Sequence, residues 1–157
     1  MKSSQQLAAH FRQLCYGGNW TWVNLKDTLK DISWEQAITK VQDFNTIAVL
    51  VYHIGYYVSV QLKVLKGGNL EGTDKDSFNC PPIESAADWE ALLSKTWQEG
   101  EEYAALVEQI PDPQLEEVFV MEKYGNWHRN LMGLIEHAHY HLGQIVILKK
   151  WVQSDKA

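Results

Sequence analysis

Apolar residues recur three and four positions apart in four separated segments of this chain, and nowhere does the alternation of a strand persist. Segments patterned this way bury one stripe each against the others, so the expectation is an all-α fold, a four-helix bundle. The first segment follows Ser4, a candidate N-cap, sets Leu7, Phe11 and Leu14 on one face, and stops at Gly17-Gly18. The second, capped by Asp43 or Asn45, runs through Ile47, Leu50, His53, Tyr57, Val60 and Val64 to Gly67-Gly68. Ser85-Ala86-Ala87-Asp88 opens the third as a capping box, with Trp89, Leu93, Trp97, Tyr103 and Val107 on its inner stripe, and Pro111-Asp112-Pro113 ends it. Asn126 caps the fourth, which extends to about Trp151.

The connections are uneven. Between Asn19 and Gln42 the pattern predicts short helical turns, one around Trp22, Leu25 and Leu29 and one opened by Ser33 and Gln36 at capping-box spacing. Gly67 to Glu84 is rich in Gly, Asn, Asp and Pro and, at about 18 residues, far exceeds the usual loop of about 4–6. Such a loop is functional, mobile or a crossover. At roughly 3.3 Å per extended residue it can return along a whole helix, so the helices it joins need not be antiparallel neighbours. Val118-Phe119-Val120-Met121 is the one β-prone stretch. A chain of 157 residues fits one domain, taken here as 1–157.

Fourteen Lys+Arg against twenty Asp+Glu give a net charge of −6, with no basic cluster beyond Lys149-Lys150, so nucleic acid is not an expected partner. Cys15 and Cys80 form no Cys-x-x-Cys pair, and no disulfide framework is expected. Met1-Lys2-Ser3-Ser4-Gln5-Gln6 leads into an amphipathic segment, not an apolar signal core. The longest apolar stretch, Ile47 to Val60, is interrupted by His53 and reads as too short to span a bilayer. A cytoplasmic protein with no membrane partner is the expectation.

Three of the six histidines crowd into Glu136-His137-Ala138-His139-Tyr140-His141 in the middle of the fourth segment. A strand would align all three, but the spacing of Leu131, Leu134, Ile135, Ile145 and Leu148 favours a helix. On a helix His137 and His141 stack one turn apart, whereas His139 points about 200° away from His137. The pair shares the apolar stripe and should face the interior, and so should His53, between Leu50 and Tyr57. A single buried histidine is more often a hydrogen-bonded core residue than a ligand. Three convergent neutral imidazoles suit a divalent transition metal, zinc above all, with an open position for water or substrate. The metal ligands expected are therefore His53, His137 and His141.

Competing motifs are absent from the sequence: no Glu-x-x-His, no His-Glu-x-x-His, no Gly-x-Ser-x-Gly, no Walker loop and no dinucleotide fingerprint. His10 reads as a boundary or surface residue, His128 as solvated, and His139 as exposed or at a subunit contact. Gln144 either hydrogen-bonds a ligand or helps the helix pack. Cys80 reads as an exposed, unactivated thiol. No carboxylate is placed by spacing to act as a general base, so the proton acceptor is unassigned.

One histidine in the second helix and His-x-x-x-His followed by Gly-Gln on the fourth, here His53, His137, His141, Gly143 and Gln144, resemble the DinB/YfiT-like superfamily of metalloenzymes. The resemblance spans nearly the whole chain, including Tyr52-His53-Ile54 and Trp20 to Leu29. It implies an up-down-down-up bundle with Gly67–Glu84 as the crossover, a three-histidine site for zinc or nickel, and a homodimer. It also implies a small-molecule substrate and, by analogy with characterised members, chemistry with a low-molecular-weight thiol. Many relatives carry a basic residue directly after the last histidine, where this chain has Leu142. Two function classes follow: a metalloenzyme that activates water or a thiol for hydrolysis or S-transfer, and a non-catalytic binding bundle whose histidines are structural. A third possibility keeps the metal for stability alone.

Overall fold

The computed structural model describes residues 2–154; Met1 and residues 155–157 lie outside the described residues. The described chain is helical, with no strand: α1 (Ser3–Tyr16), α2 (Leu25–Leu29), α3 (Trp34–Ile38), α4 (Ile47–Leu65), α5 (Asp74–Ser77), α6 (Ala86–Gln109) and α7 (Trp127–Ser154). The β-prone stretch near Val118 makes only an isolated bridge to Asn126, flanked by two 3-10 turns.

Helix starts follow local chemistry, with two corrections to the sequence reading. Ser85, Ser33 and Asn126 cap α6, α3 and α7 as expected, each side-chain oxygen accepting from an amide three residues on. At α4 the cap is Thr46, not Asp43 or Asn45, because only Thr46 sits extended immediately before the helix with its hydroxyl reaching the Val49 amide at 3.3 Å. At α1, Ser4 lies inside the first turn and is fully buried. The exposed amides there are met from far away: Asp112 accepts from the Ser3 and Ser4 amides at 3.1 and 3.2 Å and from the Ser4 hydroxyl. Those backbone bonds hold the Asp112 carboxyl below its ordinary range.

α1 packs on α6 and α7, and α4 packs on the same two helices. Contacts along α4 and α6 advance together, from Gly55 with Thr96 through Ser59 with Glu99 to Gln61 with Tyr103, so these neighbours run in the same direction. α1 runs against α6, with Phe11 on Tyr103 and Tyr16 on Trp97, and α4 runs against α7, with Gln61 on Asn130 and His53 on His137. Parallel neighbours need a connection as long as the helix itself. At 1.5 Å per residue α4 spans roughly 28 Å, which accounts for the length of the segment from Gly67 to Glu84.

α4 also corrects the reading of the apolar stretch. The helix runs on past Val60 to Leu65, just before the Gly67-Gly68 stop read from sequence, and its 19 residues make it the one described helix long and apolar enough to cross a membrane by length and composition. Half of that stretch is buried inside the protein, against α6 and α7.

Candidate metal centre

The three expected ligands come together between α4 and α7. His53 is 3% exposed and His141 7%, and the Nε2 of His137 lies 2.9 Å from that of His53 and 3.1 Å from that of His141. All three ligand nitrogens lie within 4.8 Å of one another; a tetrahedral zinc site with Zn–N bonds near 2.05 Å places its nitrogens about 3.3 Å apart, close to the two shorter spacings.

Hydrogen-bond partners on the far side of two rings fix which nitrogen carries the proton. The buried Ser77 hydroxyl donates to the Asp74 carbonyl, so it can only accept from His53 Nδ1, 2.8 Å away. His53 therefore presents an unprotonated Nε2 to the cluster. His141 Nδ1 donates to Gln144 Oε1 at 2.7 Å, while the amide nitrogen of Gln144 donates to Tyr140 Oη, and His141 Nε2 is bare as well. His137 Nε2 thus faces two lone pairs at close range, and its Nδ1 is buried without a partner. A neutral His137 protonated at Nε2 can donate to only one of them, whereas a metal cation would engage all three nitrogens at once.

The proton is a poor substitute for that cation. Burial, then the neighbouring imidazoles His141 and His53, push His137 down to about 4, and burial followed by the charge of His141 lowers His53. Neutral imidazoles are the form a metal binds. The three histidines can hold a metal ion.

The shell around the rings is aromatic. Phe78 stacks on His53 with centroids 4.0 Å apart, and Tyr57 stands edge-on to both His53 and His137. Tyr57 Oη donates to Asp74 Oδ1 at 3.1 Å, and burial together with that bond raises its pKa. Asp74, Ser77 and Phe78 all come from α5 and its end, inside the segment read from sequence as a loop. Thr73 caps α5 by accepting from the Asp76 amide, and its own hydroxyl donates to Asp76. The strand of chain leading in is held on α4 by Thr73 N donating to Tyr56 Oη at 2.8 Å. Gly72 permits this approach, since a Cβ there would lie 2.9 Å from Val60 and 3.0 Å from Tyr56 Oη. Thr73-x-x-Asp76 is the sequence signal that marks this turn.

The other histidines stand apart. His128 is exposed; His10 is exposed with its ring edge-on to His139, 5.9 Å between centroids. His139 is half-buried, not exposed, because it lies against His10 and donates to the Ile135 carbonyl. Gln144 takes the role of orienting His141. Both cysteines are free; burial pushes Cys80 up to about 11 and Cys15 to about 12, so neither is a thiolate. Comparison with protein-family models, with curated proteins and with solved structures gives no match.

Proposed function

We propose that this chain is a mononuclear metal-dependent enzyme of the DinB/YfiT-like type, with His53, His137 and His141 as the ligands. The observation that carries the reading is the convergence of three Nε2 atoms, two of them set as acceptors by Ser77 and Gln144. The parallel run of α4 and α6 and the long connection between them support an up-down-down-up four-helix bundle.

A bound divalent ion, zinc or nickel by the nature of the donors, supplies a positive charge that brings the pKa of a water or a low-molecular-weight thiol toward neutrality. The protein does the rest. Ser77 and Gln144 hold two rings in one tautomer and orientation, and Phe78 and Tyr57 shield the rings from solvent. The Tyr57–Asp74 pair places a carboxylate beside the cluster and is the proton acceptor in this reading. Small-molecule hydrolysis or S-transfer is the reaction class. It is tested by assaying metal-loaded and chelator-stripped protein with thiols plus electrophilic acceptors and with simple esters. Turnover that follows the metal and vanishes in His137→Ala supports it; a metal-loaded protein inert in both assays has a structural site.

The same reading includes a cytoplasmic homodimer. Free cysteines suit a reducing compartment. On the outer face of α7, Tyr140, Ile147 and Trp151 are 65%, 60% and 52% exposed. Glu136 and Lys150 are spaced equally on either side of Gly143, so two copies crossing antiparallel at Gly143 pair Glu136 with the partner's Lys150. Sedimentation should give a dimer that Lys150→Glu weakens. The second reading, a binding bundle without catalysis, draws on the cleft of about 290 Å³ lined by Phe44, Leu50, Ile147 and Leu148. It predicts melting indifferent to metal and chelator.

A further inference from the structure

The chain has two arginines, and they are treated differently. Arg12 is held by Glu101 and Glu108, each at 3.0 Å. Arg129 is exposed and makes no ion pair or side-chain hydrogen bond among the described residues. It lies on a groove of about 280 Å³ between α4 and α7 whose other end is His137.

Arg129, Gly133 and His137 are spaced i, i+4, i+8 and share one face of α7, about 12 Å from first to last at 1.5 Å per residue. Gly133 leaves the floor between them open, since a Cβ there would meet nothing within 4 Å. The stem of Arg129 lies over Gly125, whose ideal Cβ would come within 2.8 Å of Arg129 Cδ. Apart from His137 Nδ1, which is buried without a partner, the other side-chain polar groups along the groove are engaged. Gln61 accepts from Tyr103 and donates to the Asn130 carbonyl, the Asn130 side chain donates to the Tyr124 and Asn126 carbonyls, and the Tyr57 hydroxyl donates to Asp74. Arg129 is thus the one exposed lining residue whose charged donors are uncommitted among the described residues.

We propose that Arg129 is the anchor for a carboxylate on the ligand of this site: the substrate is an elongated small acid, its carboxylate on Arg129, its middle over Gly133 and its reacting end at the histidine cluster. A planar guanidinium meets a carboxylate with two parallel N–H···O bonds, which gives direction as well as affinity. The assignment rests on the metal reading above, and it adds the class of substrate.

The test titrates zinc-loaded protein, by calorimetry, with mercaptohexanoate and with mercaptohexanol, which differ only in the terminal group. The acid should bind about tenfold tighter, Arg129→Gln should abolish the difference by weakening the acid alone, and Arg129→Lys should restore part of it. Gly133→Leu, which fills the groove, should weaken both probes. Equal binding of acid and alcohol by a protein that does hold zinc overturns the anchor and leaves the metal reading intact. So does a preference that survives in Arg129→Gln, or binding unaffected by Gly133→Leu. Failure of the protein to retain zinc at all overturns both.

Discussion

The two antiparallel seams of this molecule are closed by opposite means. Between α1 and α6, Ala8, Phe11 and Leu14 meet Tyr103, Ala104 and Val107, all at 2% exposure or less, with the Phe11 and Tyr103 rings 4.7 Å apart. Phe11 also packs over Gly100, where an added Cβ would meet its ring at 3.6 Å, an ordinary contact. The buried phenol of this seam, Tyr103 Oη, is satisfied by Gln61. Between α4 and α7 the equivalent positions hold three imidazoles whose nitrogens point at one another. Apolar residues of that size would close the second seam as well as the first, and burying ring nitrogens costs free energy unless each finds a partner. The first seam is built for stability; the second gives some of it up to keep a set of donors together.

Separating the two seams by substitution gives the largest effect. Phe11→Ala should cost about 3–5 kcal/mol in denaturant unfolding while zinc affinity changes by less than about threefold. Loss of affinity in step with stability would mean the seams are not independent. Ser77→Ala should do the reverse, lowering zinc affinity by about 10–100-fold in a chelator competition, because His53 loses the acceptor that fixes its tautomer. Gln144→Ala should fall at the lower end of that range, since water can reach the half-buried His141–Gln144 bond and take its place.

Acid should separate the seams a little further. His53 and His137 have folded pKa values below the ordinary 6.5, so below that value the unfolded chain binds more protons than the folded one. Metal-free protein should keep its full stability above about 6.5 and lose it progressively as the pH falls toward about 4, where His137 itself titrates. A melting temperature that is flat across this window would show that the rings are not desolvated. Smallest of all, Arg12→Ala removes two ion pairs from the rim of the apolar seam and should cost at most about 1 kcal/mol, without effect on zinc.

Much of this was legible in the residues. The long helices follow from apolar spacing, and their ends from Ser85, Asn126 and Gly17, because capping is local chemistry. His137 and His141 were paired by helix periodicity alone, and His53 joined them because it interrupts an apolar face. The rest depends on contacts that spacing does not carry. Asp112 serves α1 from more than a hundred residues away, so Ser4 could not be recognised as an interior residue. Ser77 and Phe78 reach His53 only because a four-residue helix, marked by no more than Thr73 and Asp76, folds back on α4. Thr46 was passed over because three neighbouring residues offer a capping oxygen and only backbone geometry selects among them. The comparison helices α4 and α6 run parallel for a reason the sequence did show, a connection too long for a tight turn.

The account stands on a shared cation at three nitrogens, and the zinc X-ray absorption spectrum of the loaded protein addresses it most directly. The predicted spectrum has a first shell of nitrogen and oxygen only, with the outer-shell scattering of three imidazoles from His53, His137 and His141, reduced to two in His137→Ala. A shell containing sulfur, a spectrum without imidazole scattering, or a protein that loses zinc on dialysis would contradict it.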